Sequence, residues 1–280
     1  MIGVDWGPNV FRAWRFGPGG AIRDRRSSPR GLLSVPDFRF ADTLREELGR
    51  WIAGGEDRVL ICGPVGGWRA TTPVACPAGA AELAAAVVAV PFDWAQVRLV
   101  PGLSHDDPET GRSETMAGEE THLLGAAAAI GGTGLLCMPG PVSCWARIDA
   151  GCVVGLSTYL TGESFVALRG RAARDVLLDP PGFDRGVAQA GQPGGLLRNL
   201  AALRAEAALP DSAARLFGLL VGHELRAALR QREEVHLVGP SDHAALYARA
   251  IRACAGTALP PIADSVATGL ALIGGLADWG

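Results

Sequence analysis

The chain opens on an apolar run, Ile2-Gly3-Val4, that reaches one carboxylate, Asp5, and breaks at Gly7-Pro8-Asn9. From Val10 to Phe16 apolar and polar positions alternate, so the opening predicts a buried strand, a turn and a half-buried strand. Ala21 to Ser28, with an arginine-rich polar face, extends this to a three-stranded antiparallel meander. The period then changes. From Phe38 to Ala53, Leu44, Leu48, Trp51 and Ile52 recur at helical spacing, with Asp42, Glu46 and Glu47 in the early turns and Gly54-Gly55 at the stop. A short apolar strand from Arg58 to Gly63 comes next, then a helix from Ala80 to Val90, a strand from Val97 to Val100 and a helix from Gly118 to Ile130.

The second half begins in the same way. Leu135 to Met138 predicts a strand ending at Pro139-Gly140, Cys144 to Ile148 alternates, and Cys152 to Leu160 predicts a third strand ending at Thr161-Gly162-Glu163. Helices are expected at Phe165 to Leu178, Leu196 to Ala208 and Ser212 to Arg230. A strand from Val235 to Val238 stops at Gly239-Pro240-Ser241, and helices from His243 to Ala255 and Asp264 to Ala277 complete the pattern. A meander followed by alternating helices and strands therefore occurs once per half. The fold class is α/β, with two related mixed-sheet lobes, helices against the sheets and a cleft between the lobes.

Composition narrows the chemistry. The 280 residues, 48% of them hydrophobic, suffice for two cores. With 26 basic against 29 acidic residues the formal charge is -3, which argues against nucleic acid or anionic lipid as a partner. Every basic residue is arginine, so a P-loop lysine and a Schiff-base lysine are both excluded, and any cationic contact to phosphate comes from Arg or from backbone dipoles. The six cysteines (Cys62, Cys76, Cys137, Cys144, Cys152 and Cys254) form no C-x-x-C pair and read as reduced thiols. The longest uncharged stretch, Leu123 to Trp145, is broken by glycines, so no membrane span is expected. No charged n-region with a long apolar h-region is present, and the expected location is cytoplasmic.

Asp5 is the leading candidate. A carboxylate and a glycine at the tip of a buried strand suit Mg²⁺ and a nucleotide phosphate, because turn N–H groups approach the anion while the acid holds the cation. Glu119 and Glu120 open the Gly118 helix and are candidates for a general base, although acids are favoured in any first helical turn; Glu114 is a further candidate just upstream. Thr161-Gly162-Glu163 is either a helix cap or a ligand site, and Arg12 either binds an acidic substrate or serves a salt-bridged strand face. Trp68 either stacks on substrate or fills a core edge. His105-Asp106-Asp107 reads as a solvated turn rather than a metal trio, and His223 as a helix-packing residue.

Several stretches together resemble the 2-dehydro-3-deoxygalactonokinases, sugar-acid kinases with the actin/hexokinase-like ATPase fold. They are IGVDWGPNVFRAW at the start, VPGL at Val100 to Leu103, AGEETHLLGA at Ala117 to Ala126 and MPG...W at Met138 to Trp145. TYLTGE at Thr158 to Glu163, LFGLLVGHE at Leu216 to Glu224 and LVG at Leu237 to Gly239 follow in order. The resemblance implies two RNase H-like lobes, 1–130 completed by the 264–280 helix and 131–263, with ATP and Mg²⁺ in the cleft. It implies transfer of the γ-phosphoryl group to the 6-hydroxyl of 2-dehydro-3-deoxygalactonate. Gly7 and Asn9 would belong to the first phosphate loop, Gly140 and Ser143 to the second, and Gly239 and Ser241 to the nucleotide loop. Asp5 would handle the metal, Glu119 or Glu120 the acceptor hydroxyl, and Arg12, Trp68, Thr161 and Glu163 the sugar acid. A homodimer is compatible with the apolar helices.

The chain also departs from the family pattern. Pro8 stands where Ser or Thr usually follows the glycine, the second loop reads Pro139-Gly-Pro-Val-Ser-Cys-Trp145, and the Gly63 loop is short. These departures leave open a sugar-acid or nucleotide binding protein without turnover, and Gly118-Glu119-Glu120 leaves open a phosphatase or polyphosphatase of the same superfamily.

Overall fold

The structure, a computed structural model, describes residues 1–65, 70–169, 179–205, 211–230, 232–239 and 243–280. The first apolar run forms strand β1 (Ile2–Trp6), buried at every position. It pairs antiparallel with β2 (Phe11–Phe16), which pairs antiparallel with β3 (Ile22–Ser28). Helix α1 (Phe40–Ala53) follows, and β4 (Arg58–Cys62) then runs parallel to β1 on its other side. After β5 (Val74–Ala75) and α2 (Ala80–Ala85) come β6 (Val88–Val90) and β7 (Gln96–Leu99), completing a six-stranded sheet of order β3-β2-β1-β4-β7-β6. Strands β8 (Leu103–Asp106) and β9 (Ser113–Met116) join β5 in a small separate sheet, and α3 (Glu119–Ala129) follows.

The second sheet has the order β12-β11-β10-β13-β14. It comprises β10 (Gly134–Met138), β11 (Ser143–Asp149), β12 (Cys152–Tyr159), β13 (Glu234–Val238) and β14 (Thr257–Ile262). The connections between β10, β11 and β12 are far too short for a parallel crossover, so these strands form an antiparallel meander. β13 then runs parallel to β10, and β14 parallel to β13. The helices here are α4 (Thr161–Leu168), α5 (Pro180–Gln189), α6 (Gly195–Ala205), α7 (Ser212–Ala228) and α8 (Ala244–Ala253), and α9 (Ser265–Leu276) is the last. Both large sheets begin with a meander and continue in parallel strands, except that β6 pairs antiparallel with β7; each is a mixed sheet, as expected from the meander followed by alternating helices and strands.

Two compact units result: residues 1–133, 148–155 and 264–280 in the first, residues 134–147 and 156–263 in the second. In the first, Ile2, Val4, Trp6 and Phe11 pack against Leu44 and Leu48 of α1 and Val59 and Ile61 of β4. In the second, Phe183, Phe217, Leu219, Tyr247 and Ile251 carry the core over Val235 and Leu237.

Several elements differ from the sequence expectation. The helix expected to reach Val90 ends at Ala85, because Val88 to Val90 pairs antiparallel with β7, a better setting for β-branched residues than a helix. His105 and Asp106 lie in a strand rather than a turn, with His105 opposite Glu114. Helix α5 was concealed by Pro180 and Pro181; they occupy its first turn, where no N–H is needed, and Asp179 caps it by accepting the Gly182 N–H at 3.0 Å. β14 contains Pro260 and Pro261 and is tolerated as an edge strand. Helix α4 starts at Thr161, four residues before the expected Phe165, and ends at Leu168; the rest of that predicted helix, 170–178, lies outside the described residues, as do 206–208 of the next one.

Helices α3 and α9 touch through their backbones. A Cβ at Gly125 would lie 1.8 Å from the Ser265 carbonyl oxygen, and one at Gly269 would lie 1.9 Å from that of Thr121. Neither neighbour can yield, since both are main chain. Helices α5 and α7 meet in the same manner at Gly186 and Gly218. Gly269→Ala is therefore expected to destabilise the protein by about 1–3 kcal/mol or more, as overpacking does. Gly49→Ala, on α1 where a Cβ meets nothing within 4 Å, should stabilise it by about 0.5–1 kcal/mol. Urea unfolding of the two variants beside the parent reads both signs.

Candidate active site

In the first unit the ends of two parallel strands and the start of a helix converge. Asp5 lies near the end of β1, in register with Cys62 of β4 and with Arg12 of β2. Beyond β4 the chain turns at Gly63, φ 132°, and α3 is entered through Gly118, φ 113°. A Cβ on Gly63 would come within 2.3 Å of the Trp6 carbonyl oxygen, and one on Gly118 within 2.9 Å of the Gly63 Cα. Three backbones thus meet with no side chain between them. That contact brings the first turns of α3 to Asp5.

The Asp5 carboxylate is 7% exposed and has two cationic or potentially cationic neighbours. The Arg12 Nη2 donates to Oδ2, and His122 Nε2, from α3, lies 3.6 Å from the same oxygen. Burial acts to raise the Asp5 pKa, but His122 and Arg12 together outweigh it and hold the carboxyl below its ordinary range. Asp5 is therefore an ionised acid in a largely dry place. Arg12, expected to meet a sugar acid, is placed on Asp5 and also stands over the Trp14 ring. Sequence reasoning missed His122; its position three residues after Glu119, on the same helix face, is the signal that could have found it.

Glu119 and Glu120, indistinguishable by sequence, occupy different environments. Glu120 is 1% exposed; its Oε2 accepts the Gly118 N–H at 2.5 Å and its Oε1 the Thr121 hydroxyl at 3.0 Å. Burial, with the Glu119 charge beside it, pushes its pKa up to about 8. Glu119 is only half-buried, accepts the Ala117 N–H at 3.2 Å and is raised mainly by burial. Glu120 closes the helix start, and Glu119 is the acid left partly open.

The Gly7 turn is clamped by the segment after β3. Gly7 N–H bonds to the Val10 carbonyl at 3.0 Å, and the carbonyls of Gly7 and Pro8 accept the N–H groups of Leu32 and Leu33, each at 2.9 Å. The Trp6 indole donates to the Arg30 carbonyl at 3.0 Å. Asn9 is exposed at the tip.

In the second unit the turn from Pro139 to Val142 packs on the start of α4. A Cβ on Gly162 would lie 2.5 Å from the Gly140 carbonyl oxygen, and the Glu163 N–H bonds to the Pro141 carbonyl at 2.9 Å. Ser143 is fully buried, with its Oγ 2.7 Å from the Tyr247 hydroxyl, and the Thr161 side chain bonds to Glu224. Both hydroxyls are bonded within the unit. Glu163 is exposed. Gly239 ends β13 at φ 87° and gives its N–H to the Ile262 carbonyl at 3.1 Å. Ser241, Trp68 and Arg69 lie outside the described residues. Asp107 accepts from the Glu109 N–H and the Thr110 hydroxyl, a turn arrangement, and among the described residues no group of three His, Cys, Asp or Glu is placed to hold a metal by itself. His223 Nε2 is buried without a hydrogen-bond partner among the described residues, and burial lowers its pKa, as befits a packing residue.

Among the described residues no helix is long and apolar enough to cross a membrane. The model of the 2-keto-3-deoxy-galactonokinase family matches residues 5–273. A curated protein of Rhizobium meliloti (strain 1021), named "Probable 2-dehydro-3-deoxygalactonokinase DgoK1", is 33% identical over 273 residues, which cover 89% of this chain and 87% of that protein. A crystal structure of a Sinorhizobium meliloti protein given the 2-dehydro-3-deoxygalactonokinase name superposes with a TM-score of 0.81 at 29% identity, covering 97% of this chain and 96% of that one. A carbohydrate kinase from Novosphingobium aromaticivorans shares the fold alone, at 11% identity, a TM-score of 0.51 and coverage of 99% and 94%. The chain has the actin/hexokinase-like ATPase fold and belongs to the 2-keto-3-deoxy-galactonokinase family.

Proposed function

We propose that the protein transfers the γ-phosphoryl group of ATP to the 6-hydroxyl of 2-dehydro-3-deoxygalactonate, with Mg²⁺ as cofactor. The family supports a sugar-acid kinase, and the observation that carries the finer reading is the ionised, buried Asp5 beside a half-buried Glu119 at the start of α3. A single carboxylate fits Mg²⁺, which keeps several waters and takes its other oxygens from substrate phosphates. Asp5 would hold the ion, and bound Mg²⁺ supplies charge neutralisation on the transferring phosphoryl group. His122 and Arg12 keep Asp5 ionised. Glu119 accepts the proton of the acceptor hydroxyl, and the burial that raises its pKa makes it a stronger base than an exposed carboxylate. Glu120 fixes the helix start that presents Glu119. On the Gly140 turn, phosphate contacts come from main chain, since the Ser143 hydroxyl is committed elsewhere. No observation favours a binding protein without turnover.

ADP formation from Mg-ATP is expected only with 2-dehydro-3-deoxygalactonate, with 2-keto-3-deoxygluconate run as the competing substrate. Release of phosphate to water without a sugar acid would instead establish a phosphatase. Asp5→Asn should reduce turnover by about 100-fold or more, and Glu119→Gln should lower kcat by ~10²–10⁴ with a smaller effect on KM. An active Glu119→Gln enzyme would remove Glu119 from the role of base.

Glu120 generates a pH prediction of its own. Its pKa in the folded protein, about 8, lies above the ordinary 4.5, so the folded state holds a proton that the unfolded state releases. This stabilisation is complete below the ordinary value and is lost as pH rises from there to about 8. Glu120→Gln should flatten that fall, so its unfolding free energy gains on the parent through this window and the gain levels off above it. Urea unfolding at a series of pH values tests this; parallel curves for the two proteins would refute it.

A further inference from the structure

Three stretches that carry the family resemblance, around Trp145, Thr161 and Glu224, meet at one carboxylate. Glu224 of α7 is 3% exposed, and its donors come from three other elements of the second unit. The Trp145 indole, on β11, donates to Oε1 at 2.8 Å, and the Tyr247 hydroxyl, on α8, donates to Oε2 at 2.8 Å. Thr161, the first residue of α4, bonds to it as well. Since the Tyr247 proton is spent on Glu224, Ser143 donates to the Tyr247 oxygen, which extends the network to the residue just after the Gly140 turn.

A charge at this depth is costly without a cation, and among the described residues Glu224 has none. Burial pushes its carboxyl above the ordinary range against the pull of its donors. A packed apolar side chain could fill the same space without that cost. What the carboxylate adds is direction: it fixes one end of the Pro139–Val142 turn through Ser143 and Trp145, and the start of α4 through Thr161. Those two segments in turn lock on each other, Gly162 against Gly140 and the Glu163 N–H on the Pro141 carbonyl.

We propose that Glu224 is a positioning residue for phosphoryl transfer, holding the Gly140 turn and the α4 start in register without touching substrate. The proposal rests on the kinase reading above. It is tested with Glu224→Gln, which keeps the volume but replaces one acceptor by a donor, and with Tyr247→Phe, which removes one oxygen from the network. Steady-state kinetics should show KM for Mg-ATP raised about five-fold or more in Glu224→Gln and less in Tyr247→Phe, with kcat changed less than KM. KM is independent of the fraction of folded enzyme, so a merely structural role, which lowers the unfolding midpoint and the amount of active protein, leaves it unmoved. Should Glu224→Gln fail to fold, Tyr247→Phe carries the same comparison. An active parent with KM for Mg-ATP unchanged in the folded variants overturns the proposal alone. A parent without sugar-acid-dependent ADP formation overturns the kinase reading, and this proposal with it.

Discussion

The contact of Gly118 with Gly63, and of Gly63 with the Trp6 carbonyl, is the constraint on which the site depends. A methyl group at either glycine would force apart the end of β1, the end of β4 and the start of α3. Asp5 would then lose His122, one of the two groups that keep it ionised, and Glu119 would leave its place near Asp5. Both glycines also sit at φ values that L side chains rarely adopt, so sterics and backbone conformation select the same residue twice.

The protein buries acids in two different ways. Glu120 has two donors, both within its own helix start, and an acidic neighbour, which drives it toward the neutral form. Glu224 collects donors from separate elements, Trp145, Tyr247 and Thr161, and so can act as a tie among them. Asp5 is a third case, in which neighbouring cationic groups overcome desolvation. The same functional group is thereby pushed in opposite directions by its surroundings, up at Glu120 and Glu224 and down at Asp5.

Much of the fold was legible because each half repeats a meander and then changes period. Where legibility failed, a local rule was misleading. No element was expected over Pro180-Pro181 or Pro260-Pro261, yet the first pair sits in a helical first turn and the second on a sheet edge. At the site, Asp5 and the acidic start of α3 were visible as a strand tip and a helix start. The separation of Glu119 from Glu120 was not, since adjacent residues on a helix differ in orientation by about 100° and only packing decides which one faces inward. Nor could hydrophobic periodicity show that Ser143 bonds to Tyr247 and Thr161 to Glu224; those partners lie more than 60 residues further along the chain.

Helix α9 packs on α3 and alongside β1 and β4, with Leu270 against Gly3 and Gly274 against Met1 and Leu60. In the sequence, residues 134–147 and 156–263, the whole of the second unit, come after residues 1–133 and before this helix. During synthesis the unit that carries Asp5 must therefore wait, with the apolar underside of β1 and β4 uncovered, until the second unit has been made. Assembly of this unit runs inside out: β1 is made well before the helix that covers it.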